Sequence, residues 1–451
     1  MKVINKFILL TFLSLFAAFS AFAQSGGSPS TSEQAELVSE FEVNGLKVLV
    51  KRRPNAPTVA AGLFIRGGAR NITDKDAGIE QLMLSSATEG SKKFPRETVR
   101  REISRTGSSI GATAGKDYSV VSMAVTRTNF DRLWEVFADL AMNPTFSTEA
   151  IDYSRAQLLT GLREQETDND NFLKILQDRV VYANHPYANE VGGTIDNITR
   201  FTAKDLSDYH KKTMQTSQLL LVLVGDLDEK DIQKKVAATL GKLPKGNYKE
   251  TAYPALDFSK PTLDITTRTL PTNYVQGVFN APSLNHPDYY AMRIAVTILQ
   301  SLVYNEVRVQ RQLSYAPNAE LASNVSNTGN IYVTAVDANQ SIDVMLDQIN
   351  NLKMGNLSPG RELSDETIES IAGFFLTNYY VEQQTNISQV GELAKYELIG
   401  GGWRNSFEFL PRVRQVKSAD VKMVANKYMK NLRFVVIGNP SAIKREIFVR
   451  N

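Results

Sequence analysis

The chain has 451 residues, more than one ordinary domain holds, so two domains of about 200 residues each are expected. Its 51 basic and 48 acidic residues leave a formal net charge of +3, which argues against a nucleic-acid partner. The lack of cysteine excludes disulfides, thiolate metal sites and a cysteine nucleophile, and the three histidines are too far apart in sequence for a conventional histidine zinc site.

The N-terminus has the pattern of a secretory signal peptide. Two lysines open the chain, residues 7–19 are almost uninterruptedly apolar, and residues 21–23 form a small-x-small cleavage site. A membrane anchor is the alternative, but the apolar run is short for a spanning helix. We therefore predict removal of residues 1–23, a flexible lead-in over residues 24–37, and export to the periplasm or the extracellular space. No later stretch is apolar enough to cross a bilayer, so no integral membrane segment is expected after cleavage.

The first half alternates strand and helix patterns and predicts a domain over residues 38–240. Residues 40–50 alternate around Asn44-Gly45, which is typical of a β-hairpin. Hydrophobic periodicity predicts further strands at 59–65, 109–114, 118–125 and 219–224, and helices at 77–88, 96–105, 130–142 and 148–167.

Residues 241–261 interrupt the pattern with several glycines and prolines and predict an interdomain linker. The second half, residues 262–451, then begins again with strands. Its periodicity predicts strands at 262–267, 274–279, 319–323 and 330–336, and helices at 289–309, 342–352, 365–380 and 388–396.

The two halves resemble each other near their ends. In each, a helix is followed by a buried apolar strand, and three matched pairs are all 215 residues apart: Asp205 and Asp420, Lys212 and Lys427, Met214 and Met429. Such a match can arise by chance from helix–strand patterning, but the constant offset favours an internal duplication.

Several short segments carry a likeness to a known superfamily. In chain order they are Val43-Asn44-Gly45-Leu46-Lys47-Val48, Gly67-Gly68-Ala69-Arg70, Ala77 to Pro95, His185-Pro186-Tyr187 and Tyr396-Glu397-Leu398. Their order and spacing resemble the pitrilysin and mitochondrial-processing-peptidase superfamily of zinc metallopeptidases over nearly the whole mature chain. The resemblance implies an α+β fold of two homologous domains, each a mostly antiparallel sheet covered by helices.

Active members of that superfamily carry H-x-x-E-H on a helix. Two imidazoles at i and i+4 share a zinc ion, and the glutamate at i+3 acts as general base on the metal-bound water. With Gly78 and Gly90 as anchors, the matching positions here are Gln81, Leu84 and Ser85. Amide and hydroxyl oxygens are poor zinc donors beside imidazole, and leucine cannot accept a proton.

Active relatives also take a third ligand from a pair of glutamates on a later helix, where this chain has Thr160 and Gly161. Misalignment is the alternative, but a shift onto Glu164 or Glu166 would break the register of the rest of the helix. The histidines His185, His210 and His286 cannot restore a site under any alignment and are interpreted as locally bonded turn or helix residues. The resemblance therefore implies no catalytic residue and no cofactor in this chain, with zinc expected in a partner subunit.

The second half of family members supplies an arginine and a tyrosine seven residues apart, in a pattern resembling R-x-x-x-Q-L-G-Y. Arg308, Leu313 and Tyr315 keep that spacing, with Ser314 in place of the glycine. A guanidinium and a phenol can stabilise the oxyanion that develops during peptide hydrolysis. The resemblance implies that both side chains face substrate; a solvated arginine and a core tyrosine are the alternative. Gly400-Gly401-Gly402 lacks the context of a phosphate loop and is interpreted as a loop after a helix.

The preferred hypothesis is a non-catalytic, zinc-less subunit of an exported two-component metallopeptidase. An H-x-x-E-H homologue would be the partner, and peptides or unfolded polypeptide segments would be the ligands. The main rival is a structural or peptide-binding scaffold in which the Arg308–Tyr315 pair is idle. An independent peptidase has little support, because the motif positions have lost their ligands.

Overall fold

The computed structural model describes residues 31–450. The first half contains a six-stranded sheet in the order β1-β2-β6-β3-β5-β4, in which β2 and β6 are parallel and every other pairing is antiparallel. Its elements are α1 (Thr31–Glu36), β1 (Val38–Val43), β2 (Leu46–Arg52), β3 (Thr58–Arg66), α2 (Ile79–Ala87), α3 (Arg96–Thr106), β4 (Ser109–Thr113), β5 (Tyr118–Thr126), α4 (Phe130–Met142), α5 (Thr148–Thr167), α6 (Asn169–Val181), α7 (Ile195–Arg200), α8 (Ala203–Thr213), β6 (Leu219–Gly225) and α9 (Glu229–Ala238).

The second half repeats this plan with a five-stranded sheet in the order β7-β13-β8-β10-β9, in which β13 and β7 are the parallel pair. A two-stranded ribbon of β11 and β12 is added. Its elements are β7 (Thr262–Thr267), β8 (Asn273–Asn280), α10 (Tyr289–Val303), β9 (Asn318–Leu321), β10 (Thr328–Ala335), α11 (Ala338–Met354), β11 (Asn356–Ser358), β12 (Arg361–Glu362), α12 (Asp365–Glu382), α13 (Asn386–Ile399), α14 (Phe409–Gln415), α15 (Ser418–Tyr428), β13 (Arg433–Gly438) and α16 (Arg445–Phe448).

The internal duplication extends to backbone detail. Helices α8 and α15 each have an aspartate at the third position that accepts the backbone N–H of the cap residue, Asp205 from Thr202 and Asp420 from Lys417. Thr202 also accepts the Asp205 N–H and so completes a capping box in α8, whereas the lysine that caps α15 has no side-chain acceptor. Each helix ends at a methionine of nearly identical conformation, Met214 at φ −80° and ψ 63° and Met429 at φ −81° and ψ 62°. Both helices then lead to the strand, β6 or β13, that holds the parallel pairing of its sheet.

Each sheet is covered on one face by a helix from the other half. Helix α13 packs on β3 and β6, where Val390, Leu393 and Ala394 meet the buried side chains of β6. Helix α6 packs on β8 and β13, where Leu173 meets Val435 and Ile437. This exchange explains why β6 is apolar at every position: one face lies on its own half's core and the other lies under α13.

Most predicted elements are present, including the hairpin turn at Asn44 and Gly45, both with left-handed φ angles of 50° and 85°. The fold class is confirmed as α+β with sheets that are mostly antiparallel. The predicted signal peptide, residues 1–23, lies outside the described residues. In the segment predicted to be a flexible lead-in, residues 31–36 form α1, and Ala35 packs against the cluster under α13.

Candidate functional site

The two positions that correspond to the first and second zinc ligands contact each other on α2. The Gln81 amide Nε2 donates to Ser85 Oγ at 2.9 Å, and Gln81 Oε1 accepts the backbone N–H of Ala114 at 2.8 Å. Spacing of i and i+4 places both side chains on one helical face, the same geometry that a shared metal ion would require. Here that face is bonded internally and to the end of β4.

The positions of the general base and the third ligand do not contribute polar groups. Leu84 is fully buried in the core of the first half, which α5 flanks with the partly buried Leu158, Leu159 and Leu162. Gly161 lies on α5, the helix that packs against α2, and a Cβ built there would meet nothing within 4 Å. Space for an acidic side chain therefore exists at Gly161, but the side chain is absent.

A buried carboxyl group fixes α2 from its other side. Glu80 is buried beneath the helix, where it accepts hydrogen bonds from Ser119 Oγ and from the Tyr209 hydroxyl, the latter at 2.5 Å. Burial raises the pKa of Glu80, an effect that the two hydrogen bonds partly oppose. Sequence reasoning missed the role of Glu80. The feature that could have indicated it is an acidic residue on the apolar side of a helix.

None of the three histidines points to a metal. Within residues 31–450, no group of three histidine or acidic residues is placed to hold an ion. His210 is buried and its Nε2 lies 2.8 Å from the Ala141 carbonyl, while His286 is part-exposed and its Nδ1 accepts from the backbone N–H of Asp288. His185 is buried as well, but it bonds across the two halves to Ser326 and not only within its own turn.

The structure brings Arg308 and Tyr315 together. Arg308 lies in a π-helical segment, Tyr304–Gln310, that continues α10, and its guanidinium carbon is 3.7 Å from the centre of the Tyr315 ring. Its Nη1 also donates to the Tyr315 backbone carbonyl at 2.5 Å. The Tyr315 side chain is 81% exposed, so the phenol faces solvent and does not belong to the core.

The turn between them is shaped by Gln312, which has a left-handed φ of 54°. Ser314 is buried, and its hydroxyl has no hydrogen-bond partner among the described residues. An open recess of about 450 Å³ is bordered by Arg308, Val309, Gln312, Ser314 and Tyr315. Sequence reasoning also missed Tyr304. This residue precedes Arg308 by four positions, and the centre of its ring lies 5.9 Å from the guanidinium carbon of Arg308.

Two larger cavities lie elsewhere on the molecule. One, of about 670 Å³, is bordered by α5, α6 and residues 187–196, with Leu162, Phe172 and Ile175 among its lining residues. The other, of about 570 Å³, lies where the halves meet and is bordered by Gly401 and Gly402. The three glycines therefore form a loop after a helix, as predicted, since α13 ends at Ile399. Within the part of the chain described, no helix has the length and apolarity to cross a membrane.

Two parts of the sequence match known protein families. Residues 47–195 match the family described as Insulinase (Peptidase family M16), and residues 200–361 match the one described as Peptidase M16 inactive domain. The chain belongs to the M16 family, the pitrilysin-like zinc peptidases and their inactive homologues. The second match spans the end of the first half and the beginning of the second, and it does not include α2 or α5, where the zinc-ligand positions lie.

The relatives include proteins of more than one kind. "Cytochrome b-c1 complex subunit 1, mitochondrial" of Bos taurus is 22% identical over 60% of this chain, and the chain spans 58% of that relative's length. "Non-peptidase homolog YmxG" of Helicobacter pylori is 21% identical over 90% of this chain and 95% of its own length. A crystal structure titled peptidase M16 inactive domain from Pseudomonas fluorescens superimposes with a TM-score of 0.80 at 19% identity, covering 90% of this chain and 99% of that one. This last likeness shows the shared fold.

Proposed function

We propose that this chain is the non-catalytic, zinc-less subunit of an exported two-component M16 peptidase. The observation that carries the proposal is the contrast between two sites. On α2, Gln81 and Ser85 occupy the two zinc-ligand positions and Leu84 occupies the general-base position, whereas the Arg308–Tyr315 pair is assembled and open to solvent. In the proposed complex a partner with H-x-x-E-H supplies zinc, its ligands and the general base.

The chemistry of the pair suits an oxyanion. Hydrolysis of a peptide develops negative charge on the carbonyl oxygen, and donors aimed at that oxygen lower the barrier. The exposed Tyr315 hydroxyl is one such donor, and Arg308 has donors left after bonding the Tyr315 carbonyl. A guanidinium held against the ring also adds positive charge beside the phenol.

The ligand in this proposal is an extended peptide or an unfolded segment. The cavity of about 670 Å³ between α5, α6 and residues 187–196 is mixed apolar and polar in lining, which suits peptide side chains and backbone together. The charged groups there include the ion pairs Lys116–Asp178 and Arg179–Glu190, so the cavity has no strong excess of one sign.

A structural or peptide-binding scaffold without a role in proteolysis is the second candidate. The hydrogen bonds of Gln81 to Ser85 and to Ala114 support it, because they are what a site converted to a structural contact would form. The printed names of two relatives, a cytochrome b-c1 complex subunit and a non-peptidase homologue, point to the same class.

Co-expression with an exported H-x-x-E-H homologue separates the two candidates. The peptidase subunit should co-elute with that homologue in size-exclusion chromatography and survive dilution, because obligate interfaces of this kind bury on the order of 2,000 Å² or more. Purified alone, the chain should hold no stoichiometric zinc and cleave no quenched peptide. Separate monomer peaks, or one tightly held zinc per isolated chain, would count against the proposal.

Export and domain boundaries belong to the same proposal. The leader pattern of residues 1–23 supports a periplasmic or extracellular site of action. The division into residues 38–240 and 262–451 with a linker at 241–261 is supported by the absence of helix and strand over residues 243–261. N-terminal sequencing of the secreted protein would check the cleavage site.

A further inference from the structure

His185 lies where three parts of the chain meet: its own half, the segment that connects the halves, and the β9–β10 loop of the second half. Its Nε2 is 3.0 Å from Ser326 Oγ in that loop, and its ring stacks on Tyr253 of the connecting segment at 5.3 Å. The histidine is buried, with 6% of its surface exposed. The motif that drew attention in sequence, His185-Pro186-Tyr187, thus has no part in the proposed catalysis but bridges the halves.

The hydrogen bonds fix the charge state of the ring. His185 Nδ1 accepts the backbone N–H of Tyr187 at 3.1 Å, so Nδ1 carries no proton and the ring is neutral. Nε2 then carries the proton and donates to Ser326. A second proton on Nδ1 would point at the Tyr187 N–H, and the ring could not keep both contacts.

Neighbouring bonds hold the same loop. Asp117 accepts the backbone N–H of Val325 at 3.1 Å and also the Tyr187 hydroxyl, which in turn accepts the Ser326 N–H at 3.3 Å. The loop of residues 323–327 is therefore attached to the first half through His185, Tyr187 and Asp117.

We propose that His185 is an acid-sensitive contact between the halves: protonation of its ring releases residues 323–327 of the second half from the first half. The consequence reaches the proposed ligand surface, because β9 joins this loop to the turn that carries Tyr315. The inference does not depend on the proposed peptidase role.

The charged groups near the ring come from the first half and from the connecting segment, since residues 323–327 include no charged side chain. Lys116 lies over the Tyr182 and Tyr187 rings and pairs with Asp178 of α6, while Arg70 stacks on Tyr253 and pairs with Glu250. Asp117 completes the set. Burial lowers the pKa of His185, and the Lys116 charge lowers it further, against a backbone hydrogen bond to Pro254 that raises it.

The direction of the pH effect follows from that lowered pKa. The stability supplied by neutral His185 is fully present above the ordinary value of 6.5 and is lost as pH falls through the folded pKa. Between those two pKa values the protein with the loop released binds up to one more proton, on His185, than the protein with the loop attached. The population of the released state should therefore rise by up to about tenfold for each pH unit of acidification. Asp117 acts in the opposite sense, since burial raises its pKa, and its contribution is lost as pH rises.

Amide hydrogen exchange of the intact mature chain tests this directly. After correction for intrinsic rates, exchange over residues 323–327 of the wild type should increase by up to about tenfold per pH unit between pH 6.5 and the folded pKa of His185. The increase should be absent in His185→Gln, whose amide can donate to Ser326 but does not titrate. His210→Gln is the matched control, because His210 is also buried but bonds within the first half. It should change overall stability and leave the pH response of the loop intact.

An NMR titration of the three histidines keeps the proposal falsifiable if a variant folds poorly. His185 should show the Nε2–H tautomer at neutral pH and titrate below 6.5. A His185 midpoint above 6.5, a flat exchange profile in the wild type, or the same pH response in His185→Gln would overturn the inference.

Discussion

The α2 face and the Arg308–Tyr315 turn, which the family resemblance assigns to the two parts of one active site, differ in burial and in hydrogen bonding. On α2 the former ligand positions bond to each other and to β4, and the former base position is a fully buried leucine. In the turn, the guanidinium and the phenol are held together but face solvent. Exposed aromatic surface held rigid by a cation contributes little to folding, whereas a buried leucine contributes much.

This difference distinguishes a site that has become part of the core from a site that keeps exposed polar groups. Where a site becomes part of the core, its residues are retained for stability, and reversing one of them restores nothing. Where a site keeps exposed polar groups that the fold does not need, those groups are best explained by a ligand.

The largest expected effect is on stability, at α2. Leu84→Ala should lower the free energy of unfolding by about 2–5 kcal/mol, because a fully buried side chain is removed and the core can only partly close over the cavity. Denaturant unfolding followed by circular dichroism measures it. Val309→Ala, at a half-exposed position beside Arg308, is the matched control and should change stability by less than about 0.5 kcal/mol. Similar losses in both variants would remove the contrast.

Arg308→Ala should have its effect on catalysis in the partnered protein. Loss of a charged donor to the oxyanion typically costs about 3 kcal/mol, so kcat/KM of the reconstituted heterodimer should fall roughly 10² to 10³-fold while assembly is retained. Lysine at this position should rescue poorly, because it keeps the charge without the planar fork that reaches the Tyr315 carbonyl.

Gln310→Ala is the control for that change, since Gln310 is exposed at the end of the same π-helical segment and has no contact with the Tyr315 ring among the described interactions. Its kcat/KM should stay near the wild-type value. An equal loss in both variants would indicate that the segment as a whole had been disturbed.

A smaller stability effect is expected at Gln81. Gln81→Ala leaves the Ala114 N–H without its acceptor and should cost about 1–2 kcal/mol. Gln157→Ala, on the exposed face of α5, should be near neutral. Replacing Gln81 and Ser85 with histidine should still give no stoichiometric zinc, because the third ligand is missing at Gly161. Isothermal titration with zinc would check this.

Most of the helices, strands and turns could be predicted from the sequence, because they depend on local patterns. The Asn44-Gly45 hairpin and the repeat at Asp205 and Asp420 follow from turn and capping chemistry that acts within a few residues. Helix α6 was not predicted, since its partly polar pattern makes sense only against β8 and β13 of the other half. The role of His185 was missed for the same reason: its partner Ser326 is 141 residues away, and no local signal reports such a contact.

The direct test of the central claim is the kcat/KM of the reconstituted heterodimer carrying Tyr315→Phe, with zinc content and assembly measured on the same sample. The change removes one exposed hydroxyl and leaves the ring stacked on Arg308. We expect kcat/KM to fall by at least about tenfold, with stability, zinc content and heterodimer formation unchanged. Wild-type turnover in this variant, together with wild-type turnover in Arg308→Ala, would show that the pair is idle and that the chain serves as a scaffold.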